Sequence, residues 1–182
     1  MRLRDTAGTL LVSGGFEVQA RSGGRPVATA YSNRAGFPAV RVKEISGQGE
    51  RRFVVVLDTG EEAVDCLLAF ARENRVTAAA FTGLGAFRDA TLGFFDMEKK
   101  DYERIRIDEQ VEVVTLLGNF ATKDGEAKLH PHVVVSKRNG QAFGGHLLEA
   151  HVRPTLEVVV TETPADLRRQ TDPETGLPLL AL

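Results

Sequence analysis

With 182 residues, 42% of them apolar, the chain has the length and apolar content for one domain with a real core. A net charge of −2 excludes a polycation that seeks nucleic acid over its whole surface, and the charge is uneven: residues 1–50 carry seven Lys/Arg against four Asp/Glu, and residues 51–182 carry sixteen against twenty-one. The lone Cys66 permits no disulfide within the chain, and no apolar run approaches the ~18 residues of a membrane-spanning helix, so a cytoplasmic location without a membrane partner is expected.

Residues 1–40 show no sustained amphipathic period and include the Gly/Ser/Arg/Pro segment Arg21–Pro26. They are expected to form a poorly ordered N-terminal extension, either a functional tail or the product of a start codon assigned too early. One domain is expected over 41–182. Phe53–Leu57 is a short apolar run and predicts a buried strand. Thr59-Gly60-Glu61-Glu62 reads as a capping box with Thr59 as N-cap. Val64, Leu67, Leu68 and Ala71 follow at helical spacing, so a helix is predicted from about Gly60 to Asn74, with Cys66 as a small core residue inside it.

Val76–Thr82 predicts a strand, and Gly83-Leu84-Gly85 a tight turn to the next one. Arg88 stands where a dinucleotide fingerprint needs its third glycine, which excludes that motif. Further strands are predicted at Ala90–Phe95, Tyr102–Ile107, Val111–Leu117, Lys128–Lys137, Gln141–Ala150 and Leu156–Thr161, with turns at Asp96–Asp101 and Asp172–Gly176. One main helix, seven or eight strands and short links imply an α/β chain of the α+β type, built on a mostly antiparallel mixed sheet.

The chemistry-bearing residues lie late in the chain. In His130-Pro131-His132 the two imidazoles are two residues apart, so on a strand they project from one face. Gly144-Gly145-His146 follows across Lys137-Arg138-Asn139-Gly140-Gln141, a hairpin signal. A three-residue loop, Arg138–Gly140 with Gly140 left-handed, pairs Lys137 with Gln141 and sets His132 opposite His146. A two-residue Asn-Gly loop would set His146 opposite Val133 instead. The first register brings His130, His132 and His146 together, the ligand set of an open zinc site. The same histidines without metal would line a polar pocket or a subunit contact. His151, five residues beyond His146, faces the other way on an unbroken strand and is expected at the surface. Glu112 or Glu157 would add a fourth ligand or a general base if either faced the histidines.

Five ordered segments carry a family resemblance: Thr82–Ala86, Ala90–Asp96, Glu109–Val113, Leu129–Val133 and Gly144–Leu147. Over about Arg51 to Glu162 the chain resembles the PPC domain (plants and prokaryotes conserved), bacterial type. The resemblance implies a homotrimeric binding or regulatory module in a family called DNA-binding, with plant members that act in transcription regulation. Here the only AT-hook-like stretch, Gly23-Gly24-Arg25-Pro26, lacks the first arginine of R-G-R-P. The fold also resembles that of acetolactate decarboxylase, a zinc enzyme with three histidine ligands. That likeness implies the alternative, a zinc-dependent enzyme acting on an unknown small molecule through His130, His132 and His146.

Overall fold

The computed structural model describes residues 51–164 and 166–181, preceded by four short strands: β1 (Leu3–Arg4), β2 (Leu10–Leu11), β3 (Thr29–Tyr31) and β4 (Arg41–Glu44). β1 pairs with β2 and β3 with β4, both antiparallel. The rest of the extension expected over 1–40 lies outside the described residues. β4 lies along β5 (Arg52–Asp58), where Phe53, Val55 and Leu57 are buried and the residues between them are not. Alternate burial is what a strand with one core-facing side requires.

The helix α1 (Ala63–Glu73) begins three residues later than the capping box predicts. Its N-cap is Glu62, whose side chain accepts from the Asp65 N–H at 2.6 Å. The residues expected to cap it are drawn to other partners. The Thr59 hydroxyl donates to Pro154 O at 3.0 Å, the Gly60 N–H to Val152 O at 2.9 Å, and the Glu61 carboxylate accepts from the Asp58 N–H at 2.8 Å. The second Glu62 oxygen accepts from the Ala150 N–H at 2.9 Å, so the cap also ties the helix to the sheet. Ala63, Cys66, Leu67, Phe70 and Ala71 form the buried stripe. Burial pushes the Cys66 thiol up to about 12, which leaves it an inert core residue as expected.

The remaining strands are β6 (Ala79–Asp96), β7 (Asp101–Ile107), β8 (Val111–Lys123), β9 (Glu126–Ser136), β10 (Ala142–Glu162), β11 (Arg168–Thr171) and β12 (Pro178–Ala181). With β3, β4 and β5 they form one ten-stranded sheet, antiparallel except where β11 runs parallel to β8. The fold class read from the sequence is the one observed. β6, β8, β9 and β10 close a circuit: β6 pairs with β8 and β10, and β9 with the same two. In the core, Phe53 meets Phe70, Phe70 meets Phe120 and Phe120 meets Phe81, with ring centroids 5.2–6.2 Å apart. Contacts of this kind add to the burial of large apolar area.

Two expected chain breaks are absent. Gly83-Leu84-Gly85 is no turn between strands, and the gap expected between Ala150 and Leu156 does not divide the last strand. β6 and β10 are single long strands with bulges, paired along almost their whole length. Gly85 has φ +151°, and a Cβ built on it would stand 2.2 Å from Thr155 O and 2.8 Å from Leu156 Cα. The glycine lets the two backbones approach where a side chain would hold them apart. The turn at Asp172–Gly176 is as expected: the Asp172 carboxylate accepts from the Thr175 N–H at 2.8 Å and joins β11 to β12.

Candidate metal centre

The site begins with one turn. The Lys137 N–H donates to Gln141 O at 2.9 Å and the Gly140 N–H to Lys137 O at 2.8 Å, with Gly140 at φ +81°. This is the three-residue loop, and it sets Ala142 opposite Ser136 and His146 opposite His132. Pro131 and Val133 are buried, so His130 and His132 project from the other face of β9. Leu147 is buried on β10, and His146 shares the outward face.

The three imidazoles converge. The ring centroids of His130, His132 and His146 lie 5.0, 5.3 and 5.4 Å apart, and one nitrogen from each falls within 4.8 Å of the others. His130 Nε2 and His132 Nε2 stand 3.2 Å apart. Two nitrogens bound to one tetrahedral zinc at its usual bond lengths lie about 3.3 Å apart. That pair already stands at the separation a zinc-sized cation needs, and the third imidazole nitrogen lies within 4.8 Å of both. His146 Nδ1 is buried without a hydrogen-bond partner, a polar atom that such an ion or its bound water would satisfy.

The electrostatics favour the neutral form of two of these rings, His146 and His130. Burial, then the charges of His130, His132 and Arg169, holds His146 down at about 4. Burial, then His132 and Arg169, also holds His130 below the usual 6.5. Neutral imidazole is the metal-binding form. In the metal-free protein the depressed values set the sign of a pH effect. Below about 6.5 the unfolded chain takes protons that the folded site refuses, so stability is lost as pH falls from about 6.5 toward 4. Melting temperatures over that range should fall more steeply for the metal-free wild type than for His146→Gln; parallel profiles would contradict this electrostatic picture.

Two further residues complete the site, and the sequence reading singled out neither. The Tyr102 ring on β7 lies 4.9 Å from that of His146 at an interplanar angle of 32°. Arg169 on β11 is buried at 7% exposure. Its Nη2 donates to Asn119 Oδ1, and Asn119 stands opposite His130 across the β8–β9 pair. A cavity of about 200 Å³ runs between His130, His146, Tyr102 and Arg169 and the start of β12 at Leu177–Leu179.

The carboxylates considered from sequence stand elsewhere. Glu112 lines a separate cavity with Lys137 and Arg138, and Glu157 is exposed on β10 opposite Leu84. Neither belongs to the histidine group. His151 is also outside it, although for a different reason than unbroken alternation. A register shift between Leu147 and Glu149 inserts a residue into β10, so that Ala150 and Val152 are buried and His151 returns to the outer face. There it is half-buried, and its Nδ1 lies 2.7 Å from Asp89 Oδ1.

The Plants and Prokaryotes Conserved (PCC) domain family matches residues 44–164. A metal-containing protein of Archaeoglobus fulgidus shares 35% identity and a TM-score of 0.67, covering 72% of this chain and 93% of that one. A plant- and prokaryote-conserved protein of Pyrococcus horikoshii shares 28% and 0.69, covering 76% and 98%. A candidate DNA-binding protein of Bacteroides thetaiotaomicron shares 28% and 0.71, covering 77% and 96%. The bifunctional protein GlmU of a Synechococcus strain is 30% identical over 120 residues, and the match spans 64% of this chain but only 18% of that protein.

Proposed function

This chain belongs to the Plants and Prokaryotes Conserved domain family, and from that premise we propose that it is a zinc-dependent member whose His130, His132 and His146 hold the ion for work on a small molecule. The observation that carries this reading is the 3.2 Å approach of two imidazole nitrogens with a third histidine in the same group. Three protein ligands leave a tetrahedral ion one open position, and there the metal supplies Lewis acidity or an activated water. The metal-containing relative from Archaeoglobus fulgidus supports the same reading. The test is elemental analysis after zinc loading and exhaustive dialysis. About one zinc per wild-type chain, lost in His132→Ala, is expected; substoichiometric metal that His132→Ala leaves unchanged would refute it.

The working unit we propose is a homotrimer. Leu117 and Val159, 50% and 44% exposed, flank Thr82 on neighbouring strands, and Leu84 at 61% lies close by on β6. Apolar residues grouped on a sheet face in this way mark an interaction surface. Sedimentation equilibrium should return about three times the 19.8 kDa chain mass. A monomer would contradict the assembly. Among the described residues no helix is long and apolar enough to cross a membrane, and the cytoplasm is the compartment we propose.

Solved relatives described as candidate DNA-binding proteins favour a second reading, a regulator of transcription. The charge of residues 51–182 opposes it, since phosphate contacts need clustered Lys/Arg. The full chain is expected to give no mobility shift of duplex DNA even at low salt. A shift that weakens steeply as salt rises would restore the regulatory reading.

A further inference from the structure

We propose that Arg169 anchors the carboxylate of a small organic acid whose neighbouring hydroxyl or carbonyl oxygen reaches the metal, an inference that rests on the zinc reading above. A guanidinium stays charged at any accessible pH. Burying it is costly, and a buried charge ordinarily has an opposite charge beside it. Arg169 is 7% exposed, yet its partners are neutral: Nη2 donates to Asn119 Oδ1, and Nη1 to Pro178 O at 2.8 Å. Its Nε is buried with no partner at all. Among the described residues no carboxylate forms an ion pair with it. Among the described residues, then, the site holds a cation with no opposite charge beside it and with donors to spare.

The cavity says which anion fits. Arg169 lines it together with His130 and His146, so the guanidinium and two of the three imidazoles that would hold the ion face one space. Leu129, Leu177, Pro178 and Leu179 supply apolar wall. At about 200 Å³ the space is smaller than the roughly 300 Å³ at which ordinary ligand pockets begin, so it suits an acid of a few carbons. The planar fork of arginine matches a carboxylate. Inorganic phosphate would satisfy the charge but has nothing to place against the apolar wall. A hydroxyl or carbonyl oxygen next to the carboxylate completes the second contact, at the metal.

The test is calorimetric titration of the zinc-loaded full chain with lactate, lactamide and inorganic phosphate, with zinc content measured on the same samples. Lactate is expected to bind at least tenfold more tightly than lactamide, which lacks the charge, and more tightly than phosphate. Arg169→Met is expected to weaken lactate at least tenfold with zinc content unchanged. The lactamide comparison needs no variant, so it holds even if Arg169→Met folds poorly. Equal binding of lactate and lactamide, preference for phosphate, or no lactate binding to a protein holding one zinc per chain would overturn the Arg169 role and leave the zinc reading standing. Failure to take up zinc would overturn that reading and the two-point contact together. Lactate binding to the zinc-free protein would then read the arginine contact alone.

Discussion

Replacing His146 with alanine should lower zinc affinity by roughly a hundredfold or more. Losing a group that merely orients a metal ligand costs about 10–100-fold, so losing a ligand itself lies at or beyond the upper end. The substitution leaves His130 and His132 in place, 3.2 Å apart, as a two-point site. The strand should survive, because His146 sits on the outward face while Leu147 and Ala150 carry the core contacts of β10. His151→Ala is the matching control. His151 is on the same strand and the same face, but its Nδ1 holds Asp89 at 2.7 Å, outside the histidine group. Zinc affinity measured by competition with a chromophoric chelator should fall for the first variant and stay within about twofold for the second. Equal losses in both, or none in His146→Ala, would contradict the ligand assignment.

A larger effect on folding is expected from Gly85→Ala. The new methyl would meet Thr155 O at 2.2 Å and Leu156 Cα at 2.8 Å, and both are backbone atoms of β10 that cannot rotate aside. The φ of +151° adds strain for any residue with a Cβ. Overpacking against movable side chains costs about 1–3 kcal/mol, so a backbone clash should cost about 3 kcal/mol or more. For a chain of this length that is a fall in melting temperature of roughly 6–12 °C. Gly140→Ala gives the contrast: its φ is also positive, but nothing lies within 4 Å of a Cβ there. Conformational strain alone should cost about 1 kcal/mol. Thermal denaturation of the two variants reads the difference, and equal losses would show that the close approach of β6 and β10 is not what Gly85 is for.

Gly85 and Gly140 also explain what the sequence could and could not tell. The hairpin was legible because one local rule decides it: a left-handed glycine after Asn139 fixes the loop length, and loop length fixes register. From that register the convergence of His130, His132 and His146 follows by counting. The helix was legible from its apolar spacing, but its start was not. Thr59 matches a capping box locally, yet its hydroxyl is held by Pro154, 95 residues away, and Glu62 caps instead. Gly83-x-Gly85 and Arg153-Pro154 carry the local chemistry of chain breaks. In the fold they are bulged positions where two long strands cross closely, and only the partner strand reveals it. The bulge near Leu148 reversed the expected side of His151 for the same reason: alternation is a local rule, and it fails where a residue is inserted. Arg169 had no local signal at all. It reaches the histidines because β11 lies parallel to β8 at Arg168 and Thr122, a pairing that no turn or period announces.

X-ray absorption at the zinc edge of the loaded full chain tests the central claim most directly. The account predicts one zinc per chain with three imidazole nitrogens at about 2.0–2.1 Å and one further light ligand, and the loss of one imidazole from that shell in any protein that binds zinc after His132→Ala. A shell of oxygens with no imidazole, or the same imidazole count in wild type and variant, would contradict it.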